Sequence, residues 1–543
     1  MKCFIERKLP CVWQRVIVVC LTAILIGGEL CVSAEKTFGQ EQSDLAARIE
    51  AIMSRPEFQN GRWGMKFYDP STNQIIYSLN SDQLFNPASS MKVFVEGTAF
   101  DALGTDYLFR TRVYRTGPVA RGVLKGDLVL VAGGDLLLGG RVLPDGSLAL
   151  PKPDHSYSDT GNAVPVTDDP LRSIRQIAFQ VAAHDIRRIE GRVLVDTSLF
   201  PETKDTGGNG EITVSPMMIN DNLIDVTVTP GSNEGEPAKL HISPDTAYLK
   251  IINRTITTPA AEPPPPPRSP GSLQFVDDTT SADGTHTVVL TGNIPQGSRP
   301  ILTTYRIPEP ARFAEVALAE ELRKIWISSE VDLLANPDFH ALTRFYTPKN
   351  LVAQIVPPPL SDQVKPMLKL SSNPHTITFP YLVGAIAGHD SENAKSTGLE
   401  FQQRLFERAS VDLNGWDPET GTFTPDFFIK FLTYMMQQPY FSIYRNDLPI
   451  LGVDEPLDSP AAGHIYAKGG GAMRTDPATT MTQQIAALDG FIELPDGHFI
   501  VFAAFLEING QVLVDSAKLT GVMGEIASTV YESLVQQPLA DKP

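Results

Sequence analysis

Apolar residues return at helical spacing just after Ser43, where Leu45, Ile49, Ile52 and Met53 share one face. The same period recurs at Phe313, Val316, Leu318, Leu322 and Ile325, and near the end of the chain at Val522, Ile526, Val530 and Leu534. Each stripe predicts an amphipathic helix, and a further helix is predicted over about Ser89 to Ala102. Elsewhere the pattern is that of strands. Trp63 to Tyr68 and Gln74 to Ser78 flank the turn cluster Asp69-Pro70-Ser71-Thr72-Asn73, and Ala486 to Leu494 and His498 to Ile508 flank Pro495-Asp496-Gly497. Both read as β-hairpins. From about Arg112 to Thr303 short β-branched runs such as Leu128-Val129-Leu130-Val131 alternate with Gly, Pro and Asp, interrupted by helical patches including Leu171 to Ala183. A hairpin near each end with helices between predicts one α/β domain whose sheet is built from both ends of the chain, interrupted by a β-rich insert.

The first residues form a separate pattern. Lys2, Arg7, Lys8 and Arg15 precede the apolar run Val16 to Ile26, then Gly27, Gly28 and the small-residue stretch Val32-Ser33-Ala34. The run is short of the ~20 residues that span a bilayer, so residues 1–34 read as a secretory signal peptide and the mature chain is expected to carry no integral membrane span. All four cysteines (Cys3, Cys11, Cys20, Cys31) precede the proposed cut, which leaves an exported chain without disulfide or thiol chemistry.

Composition narrows the partners. Lys+Arg 45 against Asp+Glu 63 gives a net charge of -18 over 543 residues, with no basic block, so a nucleic-acid footprint is missing. The 44 prolines predict many rigid turns, and Pro263 to Pro267 predict an extended surface loop.

The common catalytic motifs are not in the sequence. It holds nine histidines but no H-E-x-x-H, no G-x-S-x-G and no phosphate-binding loop, so neither metal nor cofactor is expected. What remains is Ser89-Ser90-Met91-Lys92, after Asn86-Pro87-Ala88 at a loop-to-helix entry. Serine and lysine three apart share one helix face, so Lys92 can reach the Ser89 hydroxyl, and an amine moved toward neutrality by burial can act as its base. Free N–H groups at the helix start can stabilise an oxyanion.

The residues around that triplet resemble a known family. Asn86-Pro87-Ala88-Ser89-Ser90-Met91-Lys92, Gly126-Asp127-Leu128, Gly133-Gly134-Asp135, Gly191-Arg192-Val193 and Asp196-Thr197-Ser198-Leu199-Phe200 are similar to the S13 penicillin-binding proteins, the low-molecular-weight class C D-alanyl-D-alanine carboxypeptidases/endopeptidases. The resemblance implies a β-lactamase/transpeptidase-like domain, an antiparallel sheet with helices, in two parts (35–111 and 304–543) around a two-part insert (112–303). It further implies a periplasmic location, peptidoglycan stem peptides as substrate and β-lactams as inhibitors. The family's second triplet, S-x-N, matches Ser371-Ser372-Asn373, which implies that Ser371 relays a proton to the leaving amine while Asn373 binds the substrate amide and helps hold Lys92. Asn220-Asp221-Asn222 lacks the serine and lies in the insert.

The third element, K-T-G or K-S-G, is missing. The matching segment is Lys468-Gly469-Gly470-Gly471, while Lys395-Ser396-Thr397-Gly398 and Lys518-Leu519-Thr520-Gly521 carry an extra residue. Lys468 is then the third-motif cation, with Gly469 and Gly471 standing where the family places hydroxyls that bind the substrate's terminal carboxylate. Losing one hydrogen bond to a charged group costs about 1.5 to 3 kcal/mol. The backbone N–H groups of Ser89 and Gly471 remain as an expected oxyanion hole. Two alternatives to a working peptidase follow, a catalytically impaired peptidoglycan-binding homologue and a serine β-lactamase. The latter fits less well because of the large insert.

Overall fold

The computed structural model describes residues 43–156, 164–166, 168–208, 210–260, 273–330, 337–475, 479–511 and 513–536. The expected signal peptide with its cysteines and the five-proline loop lie outside the described residues. Among the described residues no helix is long and apolar enough to cross a membrane.

The chain divides into two compact units. The first comprises residues 1–88, 414–429 and 450–543. It holds a five-stranded antiparallel sheet in the order Gln74–Leu79, Gly61–Asp69, Phe499–Gly510, Thr482–Glu493, Ile465–Thr475. Both expected hairpins are present, joined edge to edge by Gly61–Asp69 and Phe499–Gly510, so the sheet is built from the two ends of the chain. Helices at 43–53 and Ser516–Val535 cover one face, burying Leu45, Ile49, Ile52, Val522, Ile526 and Val530 against Phe67, Phe502 and Leu506. Those stripes are apolar because they face this core. Phe85 and Phe428 pack on Phe505 elsewhere in the unit.

The second unit spans residues 89–413 and 430–449. A mixed sheet runs Leu351–Ile355, Thr111–Arg115, Leu128–Val131, Arg188–Asp196, Val123–Leu124, Val119–Ala120, with helices Arg172–Ala183 and Pro310–Lys324 contributing to its core. Two three-stranded sheets follow, one of Lys239–Ser243, Leu223–Thr229 and Ile301–Arg306, the other of Leu249–Thr258, His286–Pro295 and Gln274–Thr280. The result is an α/β fold with β-rich insertions. Its motif glycines serve close backbone approach: a Cβ on Gly191 would stand 2.5 Å from Gly126 O, and Asp127 Oδ1 accepts from Arg192 N (2.8 Å) across the same parallel strands.

Three helices of this unit pack together: Lys92–Leu103, Asn373–Ile386 and Ala394–Arg408. Phe94 meets Phe406 and Phe431 edge-on, at centroid distances of 5.2 and 4.8 Å. The last two helices cross at glycines, since a Cβ on Gly384 would lie 1.8 Å from Ala394 O and one on Gly398 1.9 Å from Pro380 O. Gly398→Ala therefore forces the helices apart. It is expected to destabilise the protein by about 1–3 kcal/mol or more, read as a lower midpoint of thermal unfolding.

Glu96, one turn beyond Lys92, is fully buried with neither carboxylate oxygen hydrogen-bonded among the described residues. Burial, then the nearby Asp447, holds its carboxyl well above the usual range. Burial likewise pushes Asp447 up to about 8, with Asp362 adding to the effect. Each carboxyl keeps its proton to higher pH in the fold than in the unfolded chain. Their contribution to stability is therefore complete below pH ~4 and declines as pH rises through the folded values. Unfolding measured from pH 4 to pH 9 should show that decline in the wild type, and Glu96→Gln with Asp447→Asn should flatten it.

Candidate active site

Where the chain leaves the sheet, Asn86 N donates to Glu507 Oε1 (2.8 Å), and Asn86 Oδ1 accepts from Ala88 N (2.9 Å). Ala88 takes a left-handed φ of 46°. A single 3-10 turn, Ala88–Met91, then leads into the helix that begins at Lys92. Ser89 is partly exposed on this turn, whereas its neighbour Ser90 is fully buried, so of the two hydroxyls that of Ser89 is the accessible one. Residues three apart eclipse in 3-10 geometry, which keeps Ser89 and Lys92 on one side.

Lys92 is 2% exposed. A cation withdrawn from water needs acceptors, and its Nζ donates to Ser371 O (2.6 Å), Ser371 Oγ (3.0 Å) and Asn373 Oδ1 (2.8 Å). Two of these are carbonyl oxygens that only accept. Ser371 Oγ can also donate, so it is the member of the set able to pass a proton onward.

Ser371 reaches Lys92 through a left-handed φ of 55°. It sits between the short helix Lys365–Lys369 and the helix Asn373–Ile386, whose N-cap Ser372 accepts from His375 N (3.4 Å). The polar turn before Pro374 and the Ser371-Ser372-Asn373 triplet are thus one feature, and the turn is what aims the two side chains. The hairpin Thr203–Gly207/Gly210–Val214 comes close to this triplet: a Cβ on Gly208 would lie 3.0 Å from Asn373 Nδ2.

Lys468 lies in the other unit, on the edge strand Ile465–Thr475, 4% exposed, with Nζ donating to Gly469 O (2.6 Å). Gly469, Gly470 and Gly471 stand opposite Leu488, Ala487 and Ala486. A Cβ at Gly469 or Gly471 would meet nothing nearer than Ala487 O at 4.0 Å or Ile485 O at 3.7 Å, so packing does not dictate glycine at either place. Directly across from Lys468 in register is Asp489, also buried. Opposite residues of an antiparallel pair share a face with Cβ atoms about 5 Å apart, so the third-motif cation has a carboxylate as its cross-strand neighbour. Sequence reasoning missed Asp489. Its signal was a lone acid inside the apolar run Ile485 to Ile492.

Of the sequence-predicted residues, the structure brings Lys92, Ser371 and Asn373 into direct contact, and Ser89 opens the same helix entry. Lys395 instead pairs with Asp205 (2.6 Å). Lys518 to Gly521 lie on the C-terminal helix. Among the described residues no group of three His, Cys, Asp or Glu side chains is placed to hold a metal.

Residues 45–526 match the D-Ala-D-Ala carboxypeptidase 3 (S13) family. The chain is 23% identical over 483 residues to a D-alanyl-D-alanine carboxypeptidase of Actinomadura sp., covering 84% of this chain and 80% of that protein. It is similar in fold to penicillin binding protein 4 of Haemophilus influenzae, with a TM-score of 0.64 at 17% identity, covering 90% of this chain and 99% of that one. The same protein complexed with a β-lactam gives a TM-score of 0.61 at 18% identity, again covering 90% and 99% of the two chains. With a match across most of its length, the chain belongs to the S13 peptidase family of low-molecular-weight class C penicillin-binding proteins.

Proposed function

We propose that this protein is an exported, periplasmic serine-type D-alanyl-D-alanine carboxypeptidase/endopeptidase that cleaves peptidoglycan stem peptides through an acyl-enzyme. The observation that carries the reading is Lys92 Nζ held by Ser371 Oγ and Asn373 Oδ1, residues 279 and 281 positions further along the chain. In the proposed sequence a Lys92 amine takes the Ser89 proton as Ser89 Oγ attacks the D-alanyl carbonyl. Backbone N–H at the helix entry, that of Ser89 included, receives the oxyanion. The C–N bond then breaks, and the proton passes from Lys92 through Ser371 Oγ to the departing amine. Water hydrolyses the ester and restores Ser89. Lys468 supplies positive potential. Gly469, Gly470 and Gly471 line the substrate with backbone groups alone.

Ser89→Ala should abolish covalent labelling by fluorescent penicillin, with the adduct mass in the wild type on the peptide containing Ser89. Lys92→Met should lower the acylation rate by ~10²- to 10⁴-fold, the usual worth of a positioned base. Labelling that survives Ser89→Ala would sink the assignment.

A second reading is favoured by one stretch of strand: Gly469 and Gly471 lack hydroxyls, and Asp489 faces Lys468. On that reading the protein binds peptidoglycan without turnover, and folded wild type takes no label. Within the enzyme reading the same residues weaken the grip on a free terminal carboxylate, so crosslink cleavage suffers less than carboxypeptidase action. Gly469→Thr should then raise carboxypeptidase activity by ~10- to 100-fold, the value of a hydrogen bond to a charged group, and change endopeptidase activity much less. Equal effects on both activities would remove the basis for that preference.

A further inference from the structure

The Ser371–Asn373 turn is held from behind by groups that the proposed chemistry does not use. Asn220, Asp221 and Asn222, the insert segment that superficially resembles a site triplet, are all left-handed, with φ of 51°, 55° and 55°, and all buried. That backbone delivers Asp221 to His375, whose Nε2 lies 2.9 Å from Asp221 Oδ1, and to Arg141, whose Nε lies 3.1 Å from Asp221 Oδ2. Arg141 Nη2 also donates to Asp154 Oδ2 (2.7 Å). Asp154 Oδ1 accepts from Ser156 N, and Ser156 Oγ lies 2.5 Å from Ser372 Oγ. Ser372 Oγ in turn accepts from His375 N (3.4 Å), which closes the loop.

The circuit therefore runs Arg141, Asp154, Ser156, Ser372, His375, Asp221 and back to Arg141. None of the six is more than 7% exposed: Arg141 3%, Asp154 1%, Ser156 0%, Ser372 0%, His375 0% and Asp221 5%. A second strut joins the same two segments, from His155 N to Leu370 O (2.8 Å). Burial works against the charge on Asp221, yet Arg141 and His375 hold its carboxyl below the usual range, so the ion pairing outweighs desolvation. A left-handed non-glycine residue such as Ser371 costs of order 1–3 kcal/mol and persists where its surroundings over-determine it. Here they do so on both flanks, at Leu370 and at Ser372.

We propose that Arg141, Asp154, Ser156, Asp221 and His375 are positioning residues for the reaction: their closed buried circuit fixes Ser372, and so holds the flanking Ser371 and Asn373 with their acceptors on Lys92. The inference rests on the catalytic reading above. The insert is then part of the catalytic apparatus, since four of these five residues lie within 112–303. A displacement of the turn by about 1 Å is enough to cost ~10²-fold in rate.

The test uses the mature chain and compares His375→Leu, His375→Gln and Ser156→Ala with wild type. Glutamine keeps an N–H that can replace the imidazole Nε2 on Asp221, whereas leucine keeps only bulk. Two readouts are taken: amide hydrogen exchange at residues 370–376, and the penicillin acylation rate constant separated from the affinity of the non-covalent complex. His375→Leu and Ser156→Ala should speed exchange at that turn at least ~10-fold and slow acylation by ~10- to 100-fold, with affinity within about three-fold of wild type. His375→Gln should restore both. Unchanged exchange in His375→Leu overturns the positioning itself. Faster exchange with wild-type acylation, or equal losses in the leucine and glutamine variants, makes the circuit structural only and also overturns the proposal. Wild type that exchanges slowly at the turn but takes no label refutes the catalytic reading instead, and with it the catalytic consequence drawn from the circuit.

Discussion

An amino group that has been taken out of water must find acceptors, and much of the second unit can be understood from how Lys92 finds them. It stands at the first position of its helix, where the free backbone groups are N–H donors. The acceptors come from a turn far along the chain, and they reach Lys92 only because Ser371 adopts a left-handed backbone that aims its carbonyl and hydroxyl to the same side. That constraint propagates outward. The helix after the turn must start at Asn373, so Ser372 is its cap, and its neighbour must pack close enough to exclude any side chain, which is why Gly384 and Gly398 stand at the crossing.

The contrast with the strand that carries Lys468 is physical. Lys92 is buried and donates to Ser371 and Asn373, whereas at Gly469 and Gly471 the backbone has room for side chains that are absent. Lys92 is thus tied to a distant turn of its own unit, while the strand that carries Lys468 holds glycines that packing does not require. Asp489 is the buried acid paired in register with Lys468 on that sheet.

Periodicity made the outer framework legible. The helices at 43–53, Pro310–Lys324 and Ser516–Val535 and the two hairpins follow from stripes and turn residues, because each has one solvent face and one core face. Residue type and spacing marked Ser89 and Lys92, and the family resemblance marked Ser371 and Asn373. The 3-10 turn before Lys92 was not legible: four residues carry no period, and the turn depends on the Asn86 side chain and the distant Glu507. Nor could spacing reveal the role of Asp221, since its partners Arg141 and His375 are 80 and 154 residues away and meet only in the folded state.

The same circuit gives a reason for the insert to sit where it does. Chain that leaves the helix Lys92–Leu103 and returns before the Ser371–Asn373 turn can place residues on the buried side of that turn. Arg141, Asp154, Ser156 and Asp221 use that opportunity, joining the insert to Ser372 and His375 through charges that are individually expensive to bury and acceptable only as a closed set. A network of this kind tolerates no single apolar replacement well, because each removal leaves a buried charge or hydroxyl without its partner. It follows that the insert and the Ser371–Asn373 turn are constrained together, although more than two hundred residues separate Arg141 from Ser372 in sequence.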